Sequence, residues 1–128
     1  MEKLISEIKK RGIKITRPRR EILCALEESS SPLSLNEIHE QIKEVDFASV
    51  FRNVKMFCSL NLVREINMGD KKIRYELLEK EHSHHIICSK CGKIQKLNIC
   101  FLERIEGLTD YKITEHHMEF VGICPDCR

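Results

Sequence analysis

Tryptophan is absent from this 128-residue chain, aromatic residues make up only 5% of it, and prolines number three. With 41% hydrophobic residues in all, there is material for one lean core or two small ones. No apolar run approaches the roughly 20 residues that a membrane span needs. The opening Met1-Glu-Lys-Leu-Ile-Ser-Glu-Ile lacks the apolar stretch and small-residue cleavage site of an export signal. These absences predict a soluble, cytoplasmic protein. A dominant charge is missing as well: 22 basic against 20 acidic residues leave +2, too little to name a partner.

What the chain does have is cysteine, seven of them. An odd number in a chain without an export signal favours metal binding over a disulfide framework. Charge is also unevenly placed. Residues 9–20 hold Lys9, Lys10, Arg11, Lys14, Arg17, Arg19 and Arg20 and no acid, whereas from Glu81 onward six basic residues face seven acidic ones. A basic first half and a Cys/His-rich second half suggest two parts with different tasks.

The first sixty residues read as short helices. Leu4, Ile5 and Ile8 share one face, and Gly12 ends that segment. Thr16 before Arg17-Pro18 is an N-cap with an early-turn proline. Ser34 with Glu37 is a capping box for a third helix faced by Leu35, Ile38 and Ile42. Asp46 opens a fourth, with Val50, Val54 and Phe57 inward. The period then changes: residues 62–66 and 72–77 read as strands around a Met68-Gly69-Asp70 turn. Helices followed by a hairpin have the order of a winged helix-turn-helix. A boundary falls near residues 78–82. Beyond it, residues 83–88 and 93–97 read as paired strands, Phe101 to Leu108 as a helix, and residues 111–123 as a long final strand. The expected class is α+β, a winged helix over residues 1–78 followed by a small α/β domain over 82–128.

Cys88-X-X-Cys91 and Cys124-X-X-Cys127 carry the strongest chemistry. Two intervening residues let both sulfurs of a tight knuckle reach one ion, and two knuckles supply the tetrahedral four-sulfur set of structural zinc. The competing reading is two unrelated thiol pairs. Five of the six histidines cluster in two stretches, His82, His84 and His85, then His116 and His117. Any one of them is as well explained by packing; the clustering favours metal, of the Zn2+, Fe2+, Mn2+, Co2+ or Ni2+ kind that suits nitrogen and carboxylate donors. Cys24 and Cys58 are expected to be packing residues, and Cys100 is left unassigned, with no account of it beyond packing.

On the fourth helix, burial of Val50 and Val54 leaves Ser49, Arg52 and Lys55 more exposed, and Arg52 is placed to reach a guanine edge or a phosphate. A solvated face is the plain alternative. The acid-free basic run, with Lys14, Arg17 and Arg19, adds a phosphate-binding flank. Together these predict binding to double-stranded DNA.

Three segments resemble one family. Ile13-Lys-Ile-Thr-Arg-Pro-Arg-Arg-Glu-Ile-Leu23, Phe47-Ala-Ser-Val-Phe-Arg-Asn-Val54 and His82-Ser-His-His-Ile-Ile-Cys-Ser-Lys-Cys-Gly-Lys-Ile94 are similar, in order, to the opening, recognition helix and metal segment of the ferric uptake regulator (Fur) family of bacterial metal-responsive repressors. The resemblance implies a transcription regulator and not an enzyme, a C-terminal dimerisation domain, and a homodimer on a near-palindromic operator. It implies a structural Zn2+ on Cys88, Cys91, Cys124 and Cys127. It further implies a sensory site for a second divalent metal, Zn2+ or Fe2+ with Mn2+, Co2+ and Ni2+ as alternatives, on His82, His84, Glu103 and His116. The family's hinge site is degraded: Ser31, Ser83 and Lys96 stand where ligands are usual, leaving His85, and Glu76 if one residue is inserted. Phe51 replaces a common tyrosine of the recognition helix, keeping apolar contact but losing a hydroxyl. The alternative from another class is a zinc enzyme of deaminase type, suggested by His117-Met-Glu119 before Cys124-Pro-Asp-Cys127. Four cysteines would close the open position that a catalytic zinc requires.

Overall fold

The structure is a computed structural model in which residues 1–78 and 84–128 are described. It divides into two compact units, Met1–Ile66 with Lys72–Lys80, and Asn67–Lys71 with Glu81–Arg128.

In the first unit, α1 (Glu2–Lys10), α2 (Arg17–Glu28), α3 (Leu35–Gln41) and α4 (Phe47–Ser59) surround one core. Helices α2, α3 and α4 each start where a side chain takes up an orphan amide. Thr16 accepts from the Arg19 N–H at 3.4 Å, and Asp46 from the Ser49 N–H at 3.1 Å. The Ser34–Glu37 capping box is complete, with bonds of 3.2 and 2.9 Å in the two directions. Helix α1 hands over to Gly12 at φ +81°, a conformation that a side chain would strain. The inward faces meet as the 3.6-residue period requires: Ile8, Ile22, Leu23, Ile38, Val50, Val54 and Phe57 have no exposed surface. Each such large apolar side chain contributes roughly 1.5–3 kcal/mol. A three-stranded sheet of order β1-β3-β2 closes the unit, from β1 (Leu33–Ser34), β2 (Val63–Asn67) and β3 (Ile73–Leu77). The strand β1 was not expected. Two residues leave no periodicity to detect, yet Leu33 pairs with Tyr75 and Ser34 with Arg74.

The second unit holds a sheet of order β5-β4-β6: β4 (His84–Cys88) lies between antiparallel β5 (Ile94–Leu97) and parallel β6 (Glu119–Gly122). Two expectations need correction. The helix α5 is only Leu102–Glu106, with no buried residue and no side-chain cap at Phe101. The final strand is only β6, and residues 111–118 form no helix or strand. A strand persists only where a neighbour completes its hydrogen bonds. The described ladder runs from Glu119 opposite His85 to Gly122 opposite Cys88, so alternation before Glu119 has no described partner. The unit leaves Ile105, Leu108, Tyr111, Val121 and Ile123 exposed, the extremes being Leu108 at 82% and Tyr111 at 85%.

Candidate metal centre

The strand β4 ends at Cys88, and the chain turns back at once. The Cys88 N–H donates to the Lys93 carbonyl at 2.9 Å, and the Gly92 N–H to the Cys88 carbonyl at 2.9 Å. Gly92 has φ +78°, which lets the knuckle close without strain. Parallel pairing of β6 with β4 sets Gly122 opposite Cys88, which brings Cys124 to the same place. A second turn then presents Cys127, whose N–H donates to the Cys124 carbonyl at 3.0 Å. The four sulfurs lie within 4.8 Å of one another. Cys91 Sγ and Cys124 Sγ are 3.7 Å apart, far beyond a disulfide bond of about 2.0 Å. A tetrahedron with metal–sulfur bonds of about 2.3 Å has edges of about 3.8 Å, so the donor set fits zinc.

Electrostatics point the same way. The amides of Cys124, Cys91 and Lys90 each donate to Cys88 Sγ at 3.4 Å, and the Cys88 thiol is held down to about 6, first by the Cys124 and Cys91 amides. Cys127 is pushed up to about 12 by the sulfurs of Cys124 and Cys91. The Lys93 amide favours ionised Cys91, but Cys88 and Cys124 outweigh it and raise that thiol. Several negative charges in so small a space need a cation. Zinc loading of the metal-free protein near neutral pH is therefore expected to expel protons, more from Cys91 and Cys127, whose thiols are held up, than from Cys88, whose thiol is held down. As pH falls through about 6, Cys88 protonates as well and zinc affinity drops more steeply. Calorimetric titration in two buffers of different protonation enthalpy measures the release; identical heats in both would contradict it.

A second group lies in the same unit. His84 of β4, Cys100 just before α5 and His116 place their donor atoms within 4.8 Å of one another. Cys100 Sγ is 3.4 Å from His116 Nε2, and the His84 and His116 rings are 5.3 Å apart. His84 is buried; Cys100 and His116 are half-buried. Glu119 stands behind them. It accepts from the His85 N–H at 2.8 Å, with His85 Nδ1 at 3.4 Å and His84 Nδ1 at 4.0 Å. Burial raises the Glu119 carboxyl, but the His85 side-chain and backbone bonds and the nearby His85 and His84 outweigh it and hold it below its ordinary value.

The recognition-helix residues expected from the sequence lie on α4 as a connected set. Asp46 accepts from the Ser49 hydroxyl at 2.7 Å, and Ser49 Oγ accepts from Arg52 Nη2 at 3.1 Å, so the exposed guanidinium is pre-oriented. Phe51 is 45% exposed. Lys55 pairs with Glu65 and lies 5.8 Å from the Phe51 ring centre. Part of the basic run also makes contacts within the fold. Arg19 donates to Asn53 Oδ1 at 3.0 Å and to the Lys14 carbonyl at 2.7 Å, bracing α2 against α4. Arg17 is paired with Glu21 and Glu44, each at 3.0 Å. Lys14 is exposed.

A family model described as the ferric uptake regulator family matches residues 10–121. The chain belongs to the ferric uptake regulator family. It is 32% identical over 136 aligned residues to a peroxide-responsive repressor, PerR, of Staphylococcus epidermidis, covering all of this chain and 90% of that protein. Its fold is similar to the ferric uptake regulator of Helicobacter pylori, a protein described as having three functional metal-binding sites (TM-score 0.79, 30% identity, 98% of this chain and 89% of that one). The iron-containing regulator from Francisella tularensis is also similar, with a TM-score of 0.77 and 26% identity over 91% of this chain and 95% of that one.

Members of this family are metal-sensing DNA-binding regulators and not enzymes, which sets aside the deaminase alternative. His117, part of that alternative, bonds exposed Glu115 at 2.8 Å. Of the residues that the family resemblance assigned to a sensory site, His84 and His116 come together. His82 lies outside the described residues. Glu103 is exposed in the first turn of α5 and is not in the group; so short a helix buries no face, and the third donor of the group is Cys100, two residues before that helix. Neither hinge residue stands alone: Glu76 accepts from Arg64 Nε at 2.7 Å, and His85 is held by Glu119. Cys100 and Glu119 are the two residues that sequence reasoning missed. Cys100 has no second cysteine at knuckle spacing, and its partners His84 and His116 each lie 16 residues away. For Glu119 the signal available was the ladder that sets it opposite His85.

Proposed function

We propose that this chain is a homodimeric, metal-dependent repressor of metal-homeostasis genes. In this reading Cys88, Cys91, Cys124 and Cys127 hold a structural Zn2+, and a site built on His84 and His116, with His82 as a further ligand, reads a second divalent metal. The observation that carries it is one strand, β4, holding both His84 and Cys88 in two separate metal-competent groups, in a chain that also presents an exposed, capped helix bearing Arg52. Zinc supplies no reaction here; it would crosslink two knuckles. The dimer reading is supported by the uncovered apolar residues of the second unit, which a second copy would bury.

DNA binding is read as follows. Ser49, Phe51, Arg52 and Lys55 face the major groove of a near-palindromic operator, while Lys14 and Arg17 approach phosphates. Arg19 acts through Asn53 to hold the helix. Arg52→Ala is expected to weaken operator binding by about 1–3 kcal/mol and relax specificity at one base position. Lys14→Ala should weaken operator and random DNA alike and lower the salt slope by about one. Gel shifts on both DNAs, with and without added metal, test the whole reading. Equal losses on both DNAs for Arg52→Ala would move that residue to the backbone, and binding indifferent to metal would remove the sensor.

A further inference from the structure

We infer that Cys100, in place of Glu103, supplies a thiolate ligand of the second metal site beside His84 and His116, giving a mixed imidazole–thiolate donor set that selects a zinc-class ion over manganese or iron. The inference rests on the proposed sensory reading of His84 and His116 and names the metal class that site takes.

Three observations converge. The donor atoms of His84, Cys100 and His116 lie within 4.8 Å of one another, and Glu103 is not of their number. The Cys100 Sγ to His116 Nε2 separation is 3.4 Å. One ion bonded to sulfur at about 2.3 Å and to nitrogen at about 2.0–2.1 Å in tetrahedral geometry needs these atoms about 3.6 Å apart, so the pair is pre-spaced. Finally, the set is anchored at one end and open at the other. His84 is 2% exposed on the central strand, whereas Cys100 and His116 are half-buried in segments without regular structure. Such a site is reachable by an ion and has a rigid member to bind against. A cysteine serving packing alone would not need two imidazoles beside it.

The donor chemistry sets the selectivity. Carboxylate and water suit manganese, and imidazole suits several ions, but a thiolate shifts preference toward zinc. Exchanging the expected glutamate for cysteine therefore changes what the site can distinguish.

Cobalt(II) makes this visible, since a thiolate bound to cobalt gives a near-ultraviolet charge-transfer band. The full-length protein, with one zinc per chain retained on the four cysteines, is titrated anaerobically with cobalt(II). The parent should develop the band with the first added equivalent, lose it on addition of zinc and keep it in excess manganese. Cys100→Ser, with Cys100→Ala as a second variant, should bind cobalt without the band. Its affinity should be lower by at least the 10–100-fold that loss of a mere supporting residue causes. Glu103→Gln should behave as the parent. Zinc content before and after each titration shows that the four-cysteine site is intact and the protein folded. A Cys100→Ser protein with the parent's band and affinity overturns the assignment, as does a Glu103→Gln protein that loses cobalt, or a parent that prefers manganese. No readout involves DNA, so failure of the repressor reading would leave this result standing, and the reverse.

Discussion

Cys91→Ser is expected to lose the four-cysteine zinc, unravel the second unit together with its second metal group, and abolish the dimer. Among the described residues of that unit from His84 onward, only His84, His85, Ile87 and Cys88 are buried. Such a core cannot offset the ordering of the chain around it, since fixing each backbone residue costs about 1–2 kcal/mol. Structural zinc contributes apparent binding free energies of about 10–16 kcal/mol near neutral pH, comparable to the whole stability of a typical domain, about 5–15 kcal/mol. One missing sulfur opens the tetrahedron where β4 and β6 end. The first unit keeps its own core and should retain its helical circular dichroism. Metal analysis and analytical ultracentrifugation decide the matter: a Cys91→Ser protein with its zinc and dimer intact would refute the four-cysteine assignment.

The second large effect concerns regulation. Metal at the His84–His116 site is expected to tighten operator binding on the order of 5–150-fold, the usual range for an allosteric coupling of about 1–3 kcal/mol. A dimer must present two recognition helices about one DNA turn apart, roughly 34 Å. In the proposed reading, an ion held by His84 and His116 raises affinity by limiting the range of spacings that the dimer samples, without a new base contact. Reciprocity then requires operator DNA to tighten metal binding by the same factor. His84→Ala should keep the structural zinc and the dimer, yet bind operator with little response to added metal. Were this variant to respond as the parent does, the sensor would lie elsewhere, and His85 with Glu119 would be the next place to look.

Much of this was legible in the residues, for physical reasons that differ from place to place. Helices α2, α3 and α4 announce themselves twice, through caps at Thr16, Ser34 and Asp46 and through apolar residues at helical spacing. The convergence of the four sulfurs was legible because a Cys-X-X-Cys turn has few ways to fold. What escaped depends on partners distant in sequence. A two-residue strand such as β1 exists only because Tyr75 and Arg74 pair with it. Arg19 read as one more phosphate-binding cation of the basic flank, and its bond to Asn53 was hidden because it spans 34 positions. Cys100 acquires its company only once residues 84 and 116 have been folded together. The over-long final strand failed in the opposite sense, because alternation shows that a segment is able to form a strand and says nothing of whether a neighbour is there.

One five-residue strand carries residues of both metal groups. His84, Ile86 and Cys88 alternate with His85 and Ile87, so His84 and Cys88 share a face of β4, four positions apart. The two ions are thereby unequal in time. With the knuckles empty, the far end of the strand is untethered, and the imidazole at its near end has no settled orientation to offer. Occupancy becomes a sequence of events, construction first and measurement second. The Cys91→Ser protein should consequently lose both ions and His84→Ala only one, so the regulator does not report on its surroundings until it has been built.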